Sequence, residues 1–527
     1  MARGVAIPYL NFSGGRNTQN AAYLLTDSEC REDLNVHTSL LGDIEKRFGN
    51  VTFSDATLTG EPVKATSVHS LYPANTATKS LIAGVRTATT DSLVKITTGA
   101  TASVLKSGLT ANKRWDWAQA EVSGGSGPLF GMNGVDTPQR WNGEAASTSN
   151  WVAGTGIVPP KGRFLTFWMS RLWCLEGSRL WYSGITGSSP DPLNWDANNY
   201  VDLEPNDGQE GTGIGIVGPY LIVFKPRKTY KITDPVTAAN VKVSNEIGCV
   251  AYRSIVQTPI GLFHLSEDQG VCVTDGSTVK RISEQVLPDL IEVTSHTETQ
   301  AQAAAMLDGT RYQLSISLEG TRNDHTLEYD LSAGSWWLHD CASNQYALLD
   351  PGGTPVRYSA DSTTTARISK AFVENVFEDN GAVYKGGSYW TSPWRAWGAG
   401  EKGRSGLGLD PHVKKRLNEL RVDGVGNWDA YIALDFDETF EAMEGEIWEA
   451  AEEAPEVIEE TTFGGTGTFG GTGKFGGEGV APASTAAVER RYLTPALGRA
   501  FSVKFSDATK KSFAIRSATF RITPRSD

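Results

Sequence analysis

The sequence predicts an all-β protein: a β-propeller of six or seven blades followed by an antiparallel β-sandwich-like domain that carries a long acidic and glycine-rich insertion. Three observations predict it. Most of the chain consists of short apolar runs rich in Val, Ile, Tyr, Trp and Thr, broken by Gly, Asn-Gly, Asp-Gly and Pro, with almost no helical periodicity. Three segments share one cadence, a strand ending in an acidic residue, Gly and Ser or Thr before the next strand begins: Glu176-Gly177-Ser178, Asp275-Gly276-Ser277 and Asp308-Gly309-Thr310. The glycine supplies the positive φ that a tight hairpin needs. Irregular hairpins of this kind continue over about 350 residues, a length that radial repetition accommodates and for which a large double β-sandwich is the alternative.

At 527 residues the chain exceeds one ordinary core. Residues 1–50 read as an N-terminal arm joining the propeller, 51–390 as the propeller, and 391–527 as the C-terminal β domain with its insertion at 438–490. Strand pairs are expected near 80–96, 128–141, 215–232, 325–339 and 346–367. In the C-terminal domain NELRVDG is expected to pair with WDAYIALDFD, and RAFSVKF with SFAIRSATFRIT. EAMEGEIWEAAEEAPEVIEE predicts a short helix from about Phe440 to Ala454, stopped by Pro455.

Five scattered cysteines without a CxxC pair, and seven dispersed histidines without HExxH spacing, predict neither a disulfide framework nor a metal site. No cofactor is expected. Gly213-Ile214-Gly215-Ile216-Val217-Gly218 matches GxGxxG, but Pro219 and an alternating strand follow it where a phosphate-cradling loop needs a helix N-terminus; it reads as an interblade turn. No GxxxxGK[ST] or strand-to-helix GxSxG is present, so no enzyme activity is expected. Ser266-Glu267-Asp268-Gln269-Gly270 compares with the Asp-box turn of sialidase-like propellers, a structural turn even there. No apolar run is long enough to span a bilayer, and the N-terminus lacks the apolar core of a signal peptide.

The block Asn11 to Gly49, NFSGGRNTQNAAYLLTDSECREDLNVHTSLLGDIEKRFG, resembles the opening of the β-propeller tail proteins of tailed bacteriophages, a family that includes the tail nozzle of short-tailed phages and related minor tail proteins. The carrying residues are Phe12-Ser13-Gly14-Gly15, Ser28-Glu29, Leu34-Asn35-Val36 and Lys46-Arg47-Phe48-Gly49; LFGMNGVDTPQRWNG, SRLWYSGITGSSPDPLNW, GPYLIVFKPRKTYKI and TPIGLFHLSEDQGVCVTDG follow in the same order. The resemblance implies a structural virion protein, made in the host cytoplasm and carried in the phage tail. It would form a homo-oligomeric ring, a hexamer, around the DNA channel, contact adaptor, tail-tube and fibre proteins, and let DNA pass without specific binding. The alternative is a glycan-binding or glycan-hydrolysing propeller at the tail tip.

Given such a ring, the unusual residues acquire expected roles. The net charge of −13 opposes retention of DNA phosphates. No Lys or Arg occurs from Val422 to Gly473, while Asp435 to Glu460 holds twelve carboxylates. Glu441, Glu444, Glu446, Glu449, Glu452 and Glu453 are therefore expected to line the channel. TFGGTGTFGGTGKFGGEG places Phe463, Phe469 and Phe475 on one face of an extended chain, because six is an even repeat. That face is expected to dock on a neighbouring subunit or another tail protein. Trp390, Trp394 and Trp397 are expected at a subunit contact or domain junction, or in a private core of the C-terminal domain.

Overall fold

The computed structural model describes residues 5–524 except 10, 56–63, 73–78, 88, 121–126, 153, 187–188, 295–301, 363–365, 396–413, 427, 444, 449–486 and 493–495. The chain divides into two compact units. One is Arg16–Asn20 with Phe48–Gly386; the other joins Met1–Gly15 and Ala21–Arg47 to Gly387–Asp527. The N-terminal stretch is thus not one arm on the propeller: most of it belongs with the C-terminal residues.

The first unit is a β-propeller in which seven four-stranded antiparallel sheets are described. Blades 1 to 6 span 64–109, 116–150, 163–202, 213–244, 256–281 and 304–339, each with its strands in chain order; in blade 3 short strands between Gly184 and Trp195 intervene before the fourth. Blade 7 takes three strands from 343–373 and its fourth, Gly49–Asp55, from far upstream, with Arg367 opposite Asp55 and Lys370 opposite Val51. Pairing the two ends of the propeller's sequence within one sheet closes the ring.

The apolar runs are continuous because the blades are covered on both faces. In Tyr220–Phe224, Leu221 and Val223 join a cluster with Trp173, Leu180 and Tyr182 of blade 3, while Ile222 and Phe224 join Leu262 of blade 5. Period-two alternation therefore serves two cores, and both sets of positions are apolar. Blades 1 and 2 meet through Ile82, Leu93, Trp117, Leu129 and Trp141, and blades 7 and 1 through Tyr358, Ile368, Val68 and Val94.

The acidic-Gly turns are hairpins as expected, with φ of 60° at Gly177, 84° at Gly276 and 59° at Gly309. The GxGxxG stretch is not an interblade turn. Gly213–Val217 is the first strand of blade 4 and Gly218 its hairpin turn. Its glycines permit close approach between blades: a Cβ at Gly213 would sit 2.5 Å from Ile255 Cδ1, and one at Gly215 2.6 Å from Leu262 Cδ2.

His264 lies buried between blades against Phe224, ring centroids 4.6 Å apart, and burial lowers its pKa from 6.5 to about 4. Between these values the unfolded chain binds a proton that the folded chain refuses. Its contribution is complete above 6.5 and is lost as pH falls through 4. His264→Phe, which keeps the ring and removes the titration, is expected to flatten the pH dependence of the melting temperature across this window; His69, also lowered to about 4 by burial, retains its own share. An unchanged slope would refute the assignment.

The second unit holds an eight-stranded and a five-stranded antiparallel arrangement. Its strands are those expected, but their partners differ. Lys415–Gly426 pairs with Phe513–Pro524, and Asp429–Leu434 with Phe501–Asp507, so each predicted hairpin is split between the two sheets. Strands from the N-terminal residues enter both: Val5–Tyr9, Val36–Thr38 and Ile44–Lys46 in the larger, Glu32–Leu34 in the smaller. Lys46 Nζ donates to Asp507 Oδ2 at 2.8 Å, both side chains buried, and so ties the block to the C-terminal residues. The expected helix from Phe440 is not formed where it is described, since Glu441–Ala442 and Gly445–Trp448 are strands. Pairing of Gly445–Trp448 with Ala487–Tyr492 supplies backbone hydrogen bonds that the local propensity for helix does not outweigh.

Candidate functional site

From blade 2 round through blade 7 to blade 1 the first strand of each blade packs beside the first strand of the next, so these strands surround the propeller axis. Their N-terminal ends gather residues from the interblade links at one mouth. Arg114 precedes Asp116–Gln119, Arg163 opens Arg163–Trp168, and Arg253 sits in the short 3-10 turn Tyr252–Ser254 before Val256–Thr258.

Arg253 crosses the axis. From the blade 5 side its Nη1 donates to the carbonyl of Thr66 in blade 1 at 2.9 Å and to that of Asn344, beside Ser343 at the start of blade 7, at 3.4 Å. Its Nη2 donates to the carbonyl of Trp115 ahead of blade 2 at 3.3 Å and lies 3.9 Å from Asp116 Oδ1. Asp116 Oδ2 accepts the Phe164 N–H at 3.0 Å. Burial pushes the Asp116 carboxyl up against the pull of these arginines. It also pushes the Arg114 guanidinium down to about 9, with the charges of Arg253 and Arg163 adding to the effect. Lys64, at the start of blade 1, is lowered to about 8 by burial and by the charges of Arg114, Arg86 and Arg322.

The mouth encloses a funnel of about 180 Å³ lined by Arg114, Asp116, Arg163, Glu210, Tyr252 and Arg253. A cavity of about 350 Å³ lies among the first strands themselves, lined by Thr166, Ile214, Ile216, Gln257, Ala304 and Tyr346 and reached by Arg253. The axial region thus combines a cationic mouth with a mixed apolar and amide wall.

The residues expected from the sequence lie elsewhere. Trp390 and Trp394 are not surface contacts: they are 2% and 3% exposed inside the second unit. Trp390 packs against Phe12 at 5.1 Å and stacks on Phe505 at 6.0 Å, and Trp394 packs with Ala433 and Ala500. Phe505 is the cross-strand neighbour of Trp390 in the smaller sheet, so the aromatic density of this stretch serves the interior of the second unit. Glu441 is exposed on an outer strand of the smaller sheet. Glu446 lies on the strand Gly445–Trp448. Trp397, Glu444, Glu449, Glu452, Glu453, Phe463, Phe469 and Phe475 lie outside the described residues. Arg114, Arg163 and Arg253 form no cluster along the chain, since they are a blade or more apart, so the sequence does not mark them as a basic site. The available signal was positional: each precedes or begins the opening strand of a blade.

No protein-family model and no curated protein matches this chain. Among solved structures it is similar to YCF48 bound to D1 peptide, with 8% identity over 62% of this chain and 96% of that one and a TM-score of 0.38. It is also similar to BBS1N in complex with ARL6DN, with 10% identity over 62% and 98% and a TM-score of 0.40. The propeller is defined here by its own strand order and blade packing. Among the described residues no helix is long and apolar enough to cross a membrane.

Proposed function

We propose that this chain is a non-catalytic structural component of a bacteriophage tail that assembles with further copies of itself into a ring around the DNA channel and docks other tail proteins. The sequence support is the block from Asn11 to Gly49. In the fold that block contributes strands to both sheets of the second unit and anchors residues 16–20 on the propeller, where Arg16 Nε meets Asp289 at 2.9 Å; it then leads into the ring-closing strand.

The observation that carries the reading is an apolar surface on the second unit, formed partly by the same block. Tyr23 and Leu24 are 61% and 65% exposed, and Phe436 is 55% exposed. The Phe436 ring lies 5.2 Å from that of Trp394, whose backbone N–H donates at 3.2 Å to the carbonyl of Ala22, the residue before Tyr23 and Leu24. Asp435 and Phe436 hold φ of 52° and 67°. Left-handed backbone is unfavourable for a bulky residue, and here it presents an aromatic ring to solvent. The occupant we assign is a second copy of the chain, because a cyclic ring brings one face of each subunit onto a different face of the next.

Light scattering after gel filtration tests this. The wild-type chain is expected to elute as a ring-sized oligomer, and Leu24→Asp with Phe436→Asp as a monomer with unchanged circular dichroism. A wild-type monomer at about 10 μM, where standard-sized interfaces are populated, would overturn the ring. An oligomer indifferent to both substitutions would overturn this face as its contact.

A further inference from the structure

The axial mouth described above has an unbalanced charge. Three guanidinium groups, those of Arg114, Arg163 and Arg253, converge on one buried carboxylate, that of Asp116, while Glu210 stands exposed at the rim. Among the described residues neither Arg114 nor Arg163 has a carboxylate within ion-pair distance. Asp116 is also partly committed, since one of its oxygens already accepts the Phe164 N–H. The lining therefore sets three guanidinium groups against the carboxylates of Asp116 and Glu210, with Arg163 and Glu210 both on the exposed side, and stays net positive in a recess walled by Phe164 and Tyr252.

The guanidinium groups are held in place. Arg253 is fixed by its three carbonyl acceptors. Arg163 stacks over the Phe164 ring with its guanidinium carbon 4.6 Å from the centroid. Phe164 has a φ of 61°, left-handed backbone for an aromatic residue, and it packs in turn on Tyr252 with ring centroids 4.9 Å apart. Arg114 Nη1 donates to the Gln302 carbonyl at 3.3 Å, which leaves its other donors for the funnel. Planar forks positioned in this way match the oxygens of a tetrahedral oxyanion, and immobilisation before binding removes part of the cost of ordering them.

We infer that the axial funnel is an oxyanion site that takes a phosphate-type dianion, with Arg114 and Arg163 as the binding forks and Arg253 as the fixed floor. Three converging guanidinium groups offer more donors than the two oxygens of a monocarboxylate accept, and a tetrahedral dianion can take them. A funnel of about 180 Å³ admits one phosphate group or a pyrophosphate and excludes a nucleic-acid duplex. The depressed Arg114 pKa agrees with this, because an occupying anion would relieve the repulsion that lowers it. The inference is independent of the tail reading, since it concerns one chain and its own axis.

Isothermal titration of the full chain at low salt, with inorganic phosphate, pyrophosphate and acetate as probes, tests it. Phosphate or pyrophosphate is expected to bind saturably at one site per chain and to raise the melting temperature, with acetate failing to compete. Arg114→Gln and Arg163→Gln are each expected to weaken binding about tenfold, the scale of one charge-assisted hydrogen bond, while circular dichroism stays unchanged. Heat at a phosphate ester but not at free phosphate would identify the source as an ester within the same chemistry. Absence of saturable binding of free phosphate, pyrophosphate and phosphate ester up to about 10 mM, or binding by both variants equal to wild type, would overturn the site.

Discussion

Arg253→Met is expected to lower the unfolding free energy of the propeller by about 3–5 kcal/mol, the range for removing one partner from a buried charge pair. Methionine keeps much of the stem and so isolates the guanidinium. That group bonds the carbonyls of Thr66, Asn344 and Trp115 and faces Asp116, linking blade 5 across the axis to the starts of blades 1, 2 and 7. Its loss leaves three inward carbonyls and one carboxylate to be satisfied otherwise, and an unpaired buried acceptor costs about 1–3 kcal/mol. Asp116→Asn in the same chain is expected to recover part of the loss, because it removes the charge that Arg253 faces. Urea unfolding followed by tryptophan fluorescence reads both effects. A single-variant loss under about 1 kcal/mol would show that the axial bonds are not holding the ring.

The hairpin architecture was legible because it is local. The turns at Gly177, Gly276 and Gly309 announce themselves by residue type, and the runs around Tyr220–Phe224 and Arg171–Glu176 are apolar at consecutive positions because neighbouring blades cover both faces. Pairings that join distant segments were not legible. Gly49–Asp55 closing blade 7 and Val5–Tyr9 lying on Phe513–Pro524 carry no signal beyond ordinary strand propensity. The partner exchange in the second unit has the same cause: NELRVDG and WDAYIALDFD are neighbours in the sequence with Gly and Asn between them, so hairpin logic pairs them. The structure instead sends each to a separate sheet. The tryptophans at 390 and 394 show a related limit, since an aromatic cluster in a polar stretch reads alike for a contact and for a core. The axial arginines were hidden for the opposite reason: the closed ring brings together residues that the chain spaces widely.

Asp207→Asn is expected to cost about 3 kcal/mol at neutral pH, by stranding a buried ammonium. Glu204 and Asp207 occupy the link between blades 3 and 4 and hold three lysines of blade 4. Lys225 Nζ, with a side chain only 1% exposed, donates to Asp207 Oδ1 at 2.8 Å and to the Glu204 carbonyl at 3.0 Å. Lys228 bridges Glu204 at 2.6 Å and Asp207 at 2.8 Å, and Lys242 pairs with Glu204 as well. Although burial pushes the Asp207 carboxyl up, the hydrogen bonds from Lys225 and Lys228 outweigh it and hold the group well below the usual carboxylate range. Lys228 and Lys242 lower Glu204 to about 2. Folded-state values depressed in this way mean that the unfolded chain takes up protons first as pH falls. The stabilisation is therefore whole above the unfolded carboxylate values near about 4 and is lost progressively below them. Asp207→Asn should remove much of that acid-induced loss along with the neutral-pH stability, so that wild type and variant converge toward pH 2. Lys225→Met combined with Asp207→Asn should regain stability at pH 7, because the stranded charge goes with its partner. Parallel curves for wild type and Asp207→Asn across pH 2 to 7 would show that the network titrates outside this window, and no recovery in the double variant would show that Lys225 is not the group left stranded.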